Sequence, residues 1–170
     1  MKKLLDVIKI PVIIILTFIV QIFISNNFEI FGVSPNVILV AVVIISMWNK
    51  LTINLIFAAI MGILTDLIFD FDIGKSLVIY LVITLCISYI ANRYRKESKA
   101  AIIYITAIAT GIFTLFQFVY YIIDSAVVIN VFVILKQLIV EMLLNIVVAY
   151  VLYKIFEKNM NEDILNSVYR

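Results

Sequence analysis

Long apolar runs alternate with short polar breaks along the chain, and the spacing of the breaks predicts six helices. The runs cover residues 10–24, 37–48, 51–69, 76–91, 100–123 and 131–153 and are built mainly from Ile, Val, Leu and Phe. None alternates apolar with polar positions as a membrane barrel strand would, so each is expected to be a membrane-spanning helix. The breaks are a loop at 25–34, a Pro35-Asn36 pair opening the second run, an Asn49-Lys50 turn, an acidic corner from Asp70 to Gly74, a basic stretch at 92–99 and a link at 124–130. Pro11 is expected in the first turn of its helix, after residues 4–9 have lain along the membrane surface. The second run is shorter than the ~20 residues that cross a bilayer, so neighbours must shield it or the Pro35-Asn36 end must extend it. Gly74 is expected to supply the positive φ or close backbone approach that a reversal at the acidic corner needs.

Composition makes the environment plain. With 170 residues, 65% of them hydrophobic, and a mean hydropathy of +1.20, the chain has more apolar surface than a soluble domain of this size can hide. One integral membrane domain is expected over 1–153, with a polar, amphipathic tail over 154–170. Lys2, Lys3 and Lys9 precede the first run as in a signal peptide, but Phe23-Ile24-Ser25 lacks the small residue that cleavage needs, so an uncleaved span is expected. With one cysteine, Cys86, and no histidine, there is no intrachain disulfide, and Cys/His metal sites and a histidine base are disfavoured. No cofactor, metal or nucleic acid is expected to bind.

Charge adds an orientation. Six spans place both termini on one side, and Lys50, Arg93, Arg95, Lys96, Lys99, Lys154, Lys158 and Arg170 fall there with the N-terminal lysines. Only Lys75 falls opposite, with Lys136 in the membrane, so the positive-inside rule predicts cytoplasmic termini, and Glu29, Asp70, Asp72 and Asp124 give an acidic outer face.

Two constellations stand out inside the apolar runs. Ala58, Gly62, Asp66 and Asp70 recur at every fourth residue and share one helix face. The small pair is expected to meet Ala107 and Gly111, beside the threonine row Thr106, Thr110 and Thr114. An acid in an apolar span is costly, so Asp66 either reaches the headgroup region or serves packing or partner docking. In the last run, Gln137, Glu141 and Asn145 form a polar stripe that must face protein, while Lys136 lies off that stripe and can snorkel. No nucleophile triad, phosphate loop or metal spacing accompanies these groups, so no catalytic site is expected. Few convergent polar groups are foreseen in the interior, which argues against binding of a small water-soluble vitamin.

Pro35-Asn36, Gly62-xxx-Asp66-Leu67 with Gly74 eight residues after the acid, the short fourth span with Tyr89, and a length near 170 residues together resemble the MreD family of rod shape-determining membrane proteins. Residues Pro35, Asn36, Gly62, Asp66 and Gly74 match the family's motif positions, whereas Phe69-Asp70-Phe71-Asp72 replaces its usual small-residue turn. The resemblance implies a non-enzymatic scaffold or regulator of the bacterial cell-elongation complex, in the plasma membrane, controlling cell shape and peptidoglycan synthesis. The implied partners are a bitopic MreC-like protein and, through it, MreB, a RodA-type glycosyltransferase and a class B penicillin-binding protein. The implied fold is a six-helix bundle similar to the substrate-binding S component of energy-coupling-factor transporters. That similarity supplies the alternative function, vitamin uptake, although the small-residue docking motif of such a component is missing from Pro11 to Ile24.

Overall fold

A computed structural model describes the backbone of residues 2–48, 50–70, 74–91, 99–125 and 130–168, and the side chains of 11–48, 50–69, 74–90, 99–123 and 130–155. The described chain is all-helical: α1 Lys2–Asn27, α2 Val37–Trp48, α3 Leu51–Thr65, α4 Lys75–Ala91, α5 Lys99–Ser125 and α6 Val131–Val168. A π-helical turn, Asp66–Asp70, continues α3. Three stretches, Leu51–Phe69, Lys99–Ile123 and Val131–Ile155, are long and apolar enough to cross a membrane. Three more, Pro11–Asn27, Val37–Trp48 and Lys75–Ile90, are apolar but shorter.

The bundle is built around its shortest helix. Every residue of α2 from Val37 to Met47 is buried, and α1, α3, α4, α5 and α6 all pack on it. An apolar stripe would suit a helix with one lipid face; α2 is apolar all round because it has none. At 1.5 Å per residue its 12 residues span about 18 Å, short of the ~30 Å hydrocarbon core. Of the two alternatives for this run, shielding and extension through Pro35-Asn36, the structure has the first: five neighbours supply it, and the helix starts only at Val37. Its start lies inside the bundle, where backbone N–H groups need partners from the protein.

α3 and α4 form one hairpin and α5 and α6 another. Gly62 is the reason the first hairpin is tight: a Cβ there would lie 2.8 Å from the Leu77 nitrogen and nearer still to its Cα. This corrects the expected pairing of α3 with α5. The Ala58/Gly62 face turns toward α4, and Gly111 faces α6, where Met142 Cε would stand 4.0 Å from an added Cβ. The small residues allow close approach, but the short connection between α3 and α4 decides which helix approaches.

Two boundaries also differ from expectation. Pro11 lies inside α1, because the helix already begins at Lys2. Helix α6 runs through Val168 without a break at the expected tail, since no Gly or Pro stands between 131 and 168 to end it. The side chains of Asp70, Asp124 and the tail, and the stretches 71–73 and 92–98 with their acids and bases, lie outside the described residues.

Candidate functional site

One set of polar groups gathers at the end of the bundle where residues 28–36 cross over, and it serves first to start helices. Phe31 and Gly32 both have positive φ, 56° and 76°, and Ile30 and Val33 exchange backbone hydrogen bonds of 2.9 and 3.0 Å across them. This is the tight turn that two left-handed residues make, and it carries the chain back to Pro35. Asn36 then caps α2, its Oδ1 accepting from the Leu39 N–H at 2.8 Å.

Two other helices complete that cap. Gln21 of α1 accepts from the Val37 N–H at 2.6 Å and donates through Nε2 to the Pro35 carbonyl at 3.2 Å and to Ser25 Oγ at 2.8 Å. Asn145 of α6 accepts from the Asn36 N–H at 2.7 Å and donates to Thr110 Oγ1 at 3.0 Å. Pro35 brings no N–H that would need a partner, which suits a residue entering a buried helix start.

The second buried start belongs to α4, and a carboxylate holds it. Asp66 is 0% exposed. Its Oδ1 accepts from the Ser76 N–H at 2.7 Å, and its Oδ2 accepts from Gly74 at 2.8 Å and Leu77 at 3.3 Å. The positive end of the helix and three donors face one negative group, an arrangement favoured in a low-dielectric interior. Gly74 has a φ of +113°, which lets its N–H turn back to the acid. Gly62, one turn before Asp66, brings the two backbones close enough for the short side chain to reach. Pro35, Asn36, Gly62, Asp66 and Gly74 thus lie in two helix-start devices. Asp66 has its partners inside the chain and reaches neither solvent nor the bundle's surface.

The polar stripe of α6 divides as its spacing suggests. Glu141 and Asn145 are buried against the threonine row of α5, while Lys136 is exposed. Thr114 Oγ1 lies 2.9 Å from the Thr110 carbonyl and 3.1 Å from Glu141 Oε2, so its hydrogen is shared between them. Gln137 and Glu141, with Gln117 of α5 and Gln21, Ser34 and Asn36, line a cavity of about 270 Å³ that is open at this end of the bundle. Gln117 escaped the sequence reading because it stands alone in its run. Gln21 was visible only as an interruption of the first span, with nothing in the sequence to link it to residue 37.

A separate polar cluster joins α2, α3 and α4 toward the opposite end. Asn54 Nδ2 donates to the Ser46 carbonyl at 3.0 Å and Ser88 Oγ at 3.1 Å, and Ser46 Oγ stands 3.3 Å from Thr84 Oγ1. Lipid does not favour one apolar helix contact over another, so such hydrogen bonds carry much of the specificity of packing. Among the described residues no group of three His, Cys, Asp or Glu side chains is placed to hold a metal ion.

An all-helical membrane protein organised around a central, fully enclosed short helix is the class that these features define. The family model for rod shape-determining protein MreD matches residues 1–162. The chain belongs to the MreD family and is a rod-shape-determining membrane protein. No curated protein matches it, and no solved structure does.

Proposed function

We propose that this protein is a non-enzymatic scaffold and regulator within the cell-elongation complex, acting on cell shape and peptidoglycan synthesis through a bitopic MreC-like partner. The observation that carries the reading is family membership across 1–162. It is supported by the use of the motif residues, which hold helix starts inside the fold and so build a rigid body for others to bind. MreB, a RodA-type glycosyltransferase and a class B penicillin-binding protein then join through that partner. Affinity purification from native membranes is the test. Recovery of a single-span MreC-like protein at constant ratio is expected, and its absence under conditions that keep the complex intact contradicts the reading.

The proposed topology is six spans with both termini cytoplasmic, on the strength of the basic residues collected at one end. In a Cys86→Ser background, a cysteine at Asn27 should react with an impermeant reagent on intact cells and one at Ser98 only after permeabilisation.

One observation favours a second reading. The cavity at the 28–36 end draws together several polar side chains where the sequence suggested few. A substrate-binding component of an energy-coupling-factor transporter would use such a cavity. Saturable submicromolar binding of a water-soluble vitamin, or recovery of an ATPase module, would establish that reading over the scaffold.

A further inference from the structure

The helix-start hydrogen bonds account for Gln21, Asn36 and Asn145, but they leave the wall of the cavity formed by α5 and α6 unused. Glu141 is 5% exposed, and only its Oε2 has a hydrogen-bond donor among the described residues, Thr114. Its Oε1 has none, although the residue lines the cavity. Gln117 and Gln137 line the same wall, are half-buried, and likewise have no hydrogen bond to a described residue. A carboxylate oxygen and two amides therefore face one space without partners among the described residues.

The chemistry of that space is one-sided. Among the described residues Glu141 is the only carboxylate in its lining, and no described Lys or Arg stands there. The donors at the α2 start could have suited an anion, but the Asn36, Val37 and Leu39 N–H groups already bond to Asn145, Gln21 and Asn36. What is left are a carboxyl group and two amides whose carbonyls can turn toward the same space in a low-dielectric wall, and with Glu141 ionised such a cleft concentrates cations. A buried carboxylate left unpaired is expensive, so a donor that enters and pairs with it is favoured.

We propose that this cavity is a binding site for an ammonium or guanidinium group, with Glu141 as its counter-ion and the Gln117 and Gln137 carbonyls as further acceptors. The group comes either from a small free amine or from a basic side chain that a partner inserts at the 28–36 end. The site is independent of the scaffold reading and stands or falls by its own chemistry.

Cysteine reactivity tests this directly. Gln137→Cys and, separately, Gln117→Cys are placed in a Cys86→Ser background, and variants that elute as a single folded species are labelled at mildly alkaline pH. The probes are a cationic trimethylammonium-ethyl thiosulfonate and its anionic sulfonatoethyl counterpart, each scaled to its rate with a free thiol. The cationic reagent should react about tenfold faster or more, and adding Glu141→Gln should bring the ratio to within about twofold. Butylammonium or butylguanidinium should slow labelling, whereas butyrate and butanol should not. In native membranes, protection that survives extensive washing identifies a partner's side chain as occupant, and protection that appears only with added amine identifies a free ligand. Equal rates for the two reagents at both positions, or a preference that Glu141→Gln leaves intact, overturn the proposal. So does a failure of both amines to protect in purified protein.

Discussion

Helix α2 begins on three neutral amides, two of them from other helices, whereas α4 begins on one carboxylate from the segment just before it. The α2 contacts join residues 16 and 109 apart in the chain; the Asp66 contacts span eight to eleven. A cap that depends on α1 and α6 forms only when the bundle closes, while the Asp66 cap needs no more than the α3–α4 hairpin. The two also differ in charge. Asp66 meets three N–H groups at the positive end of a helix, so its charge is balanced locally. At α2 a second carboxylate would stand in the cavity that already holds Glu141, and neutral amides avoid that repulsion.

The largest effect should come from the contact that makes the local cap possible. Gly62→Leu places a side chain into the Ser76-Leu77 backbone, so the hairpin must open; folded yield in detergent should collapse, at a cost above the ~1–3 kcal/mol of ordinary overpacking. Gly111→Ala, whose nearest neighbour is a flexible methionine end, should fold normally and serves as the control.

Next in size is the acid itself. Asp66→Asn keeps one acceptor but loses the charge and the second oxygen, and should lower unfolding stability by about 1.5–3 kcal/mol. Asp66→Ala should cost more, since it leaves three buried donors with no acceptor. A thermal unfolding series on purified protein reads both, and an unchanged midpoint for Asp66→Asn would remove the carboxylate from the account of α4.

The distributed cap should respond in smaller steps. Gln21→Leu leaves the Val37 N–H and the Pro35 carbonyl unpaired and should cost about 1–3 kcal/mol. Asn36→Ala, with its neighbours still in place, should cost about 1 kcal/mol, and Asn36→Ser should recover most of it. The smallest effect is expected at Lys136→Gln, because that side chain is exposed on α6; a change within about 0.5 kcal/mol is expected from the same unfolding measurement.

How much of this was legible in the sequence follows the same division between local and distant. The helices, the enclosed second run and the Gly74 turn could be read from hydropathy, length and a glycine beside an acid. The Asp66 stripe with Gly62 was legible as a face but not as a direction, because small residues on α3 and α5 advertise close packing without naming the partner. The α6 stripe was legible as facing protein, and it meets the threonine row of α5, a face for which the sequence suggested α3 as the partner. The junction of Gln21, Asn36 and Asn145 was not legible at all. Three isolated amides in three separate runs carry no periodicity that joins them, and only the fold brings them within hydrogen-bond distance.

Amide hydrogen exchange on the purified protein, without partners, most directly tests the claim that Asp66 and Gln21 hold buried helix starts. Wild type should protect the amides of Gly74, Ser76 and Leu77 strongly. Asp66→Asn should speed exchange there by at least tenfold while leaving Val37 and Leu39 unchanged, and Gln21→Leu should do the reverse. If Asp66→Asn leaves exchange at 74–77 untouched and only reduces recovery of a partner protein, the carboxylate works outside the fold and the account is wrong.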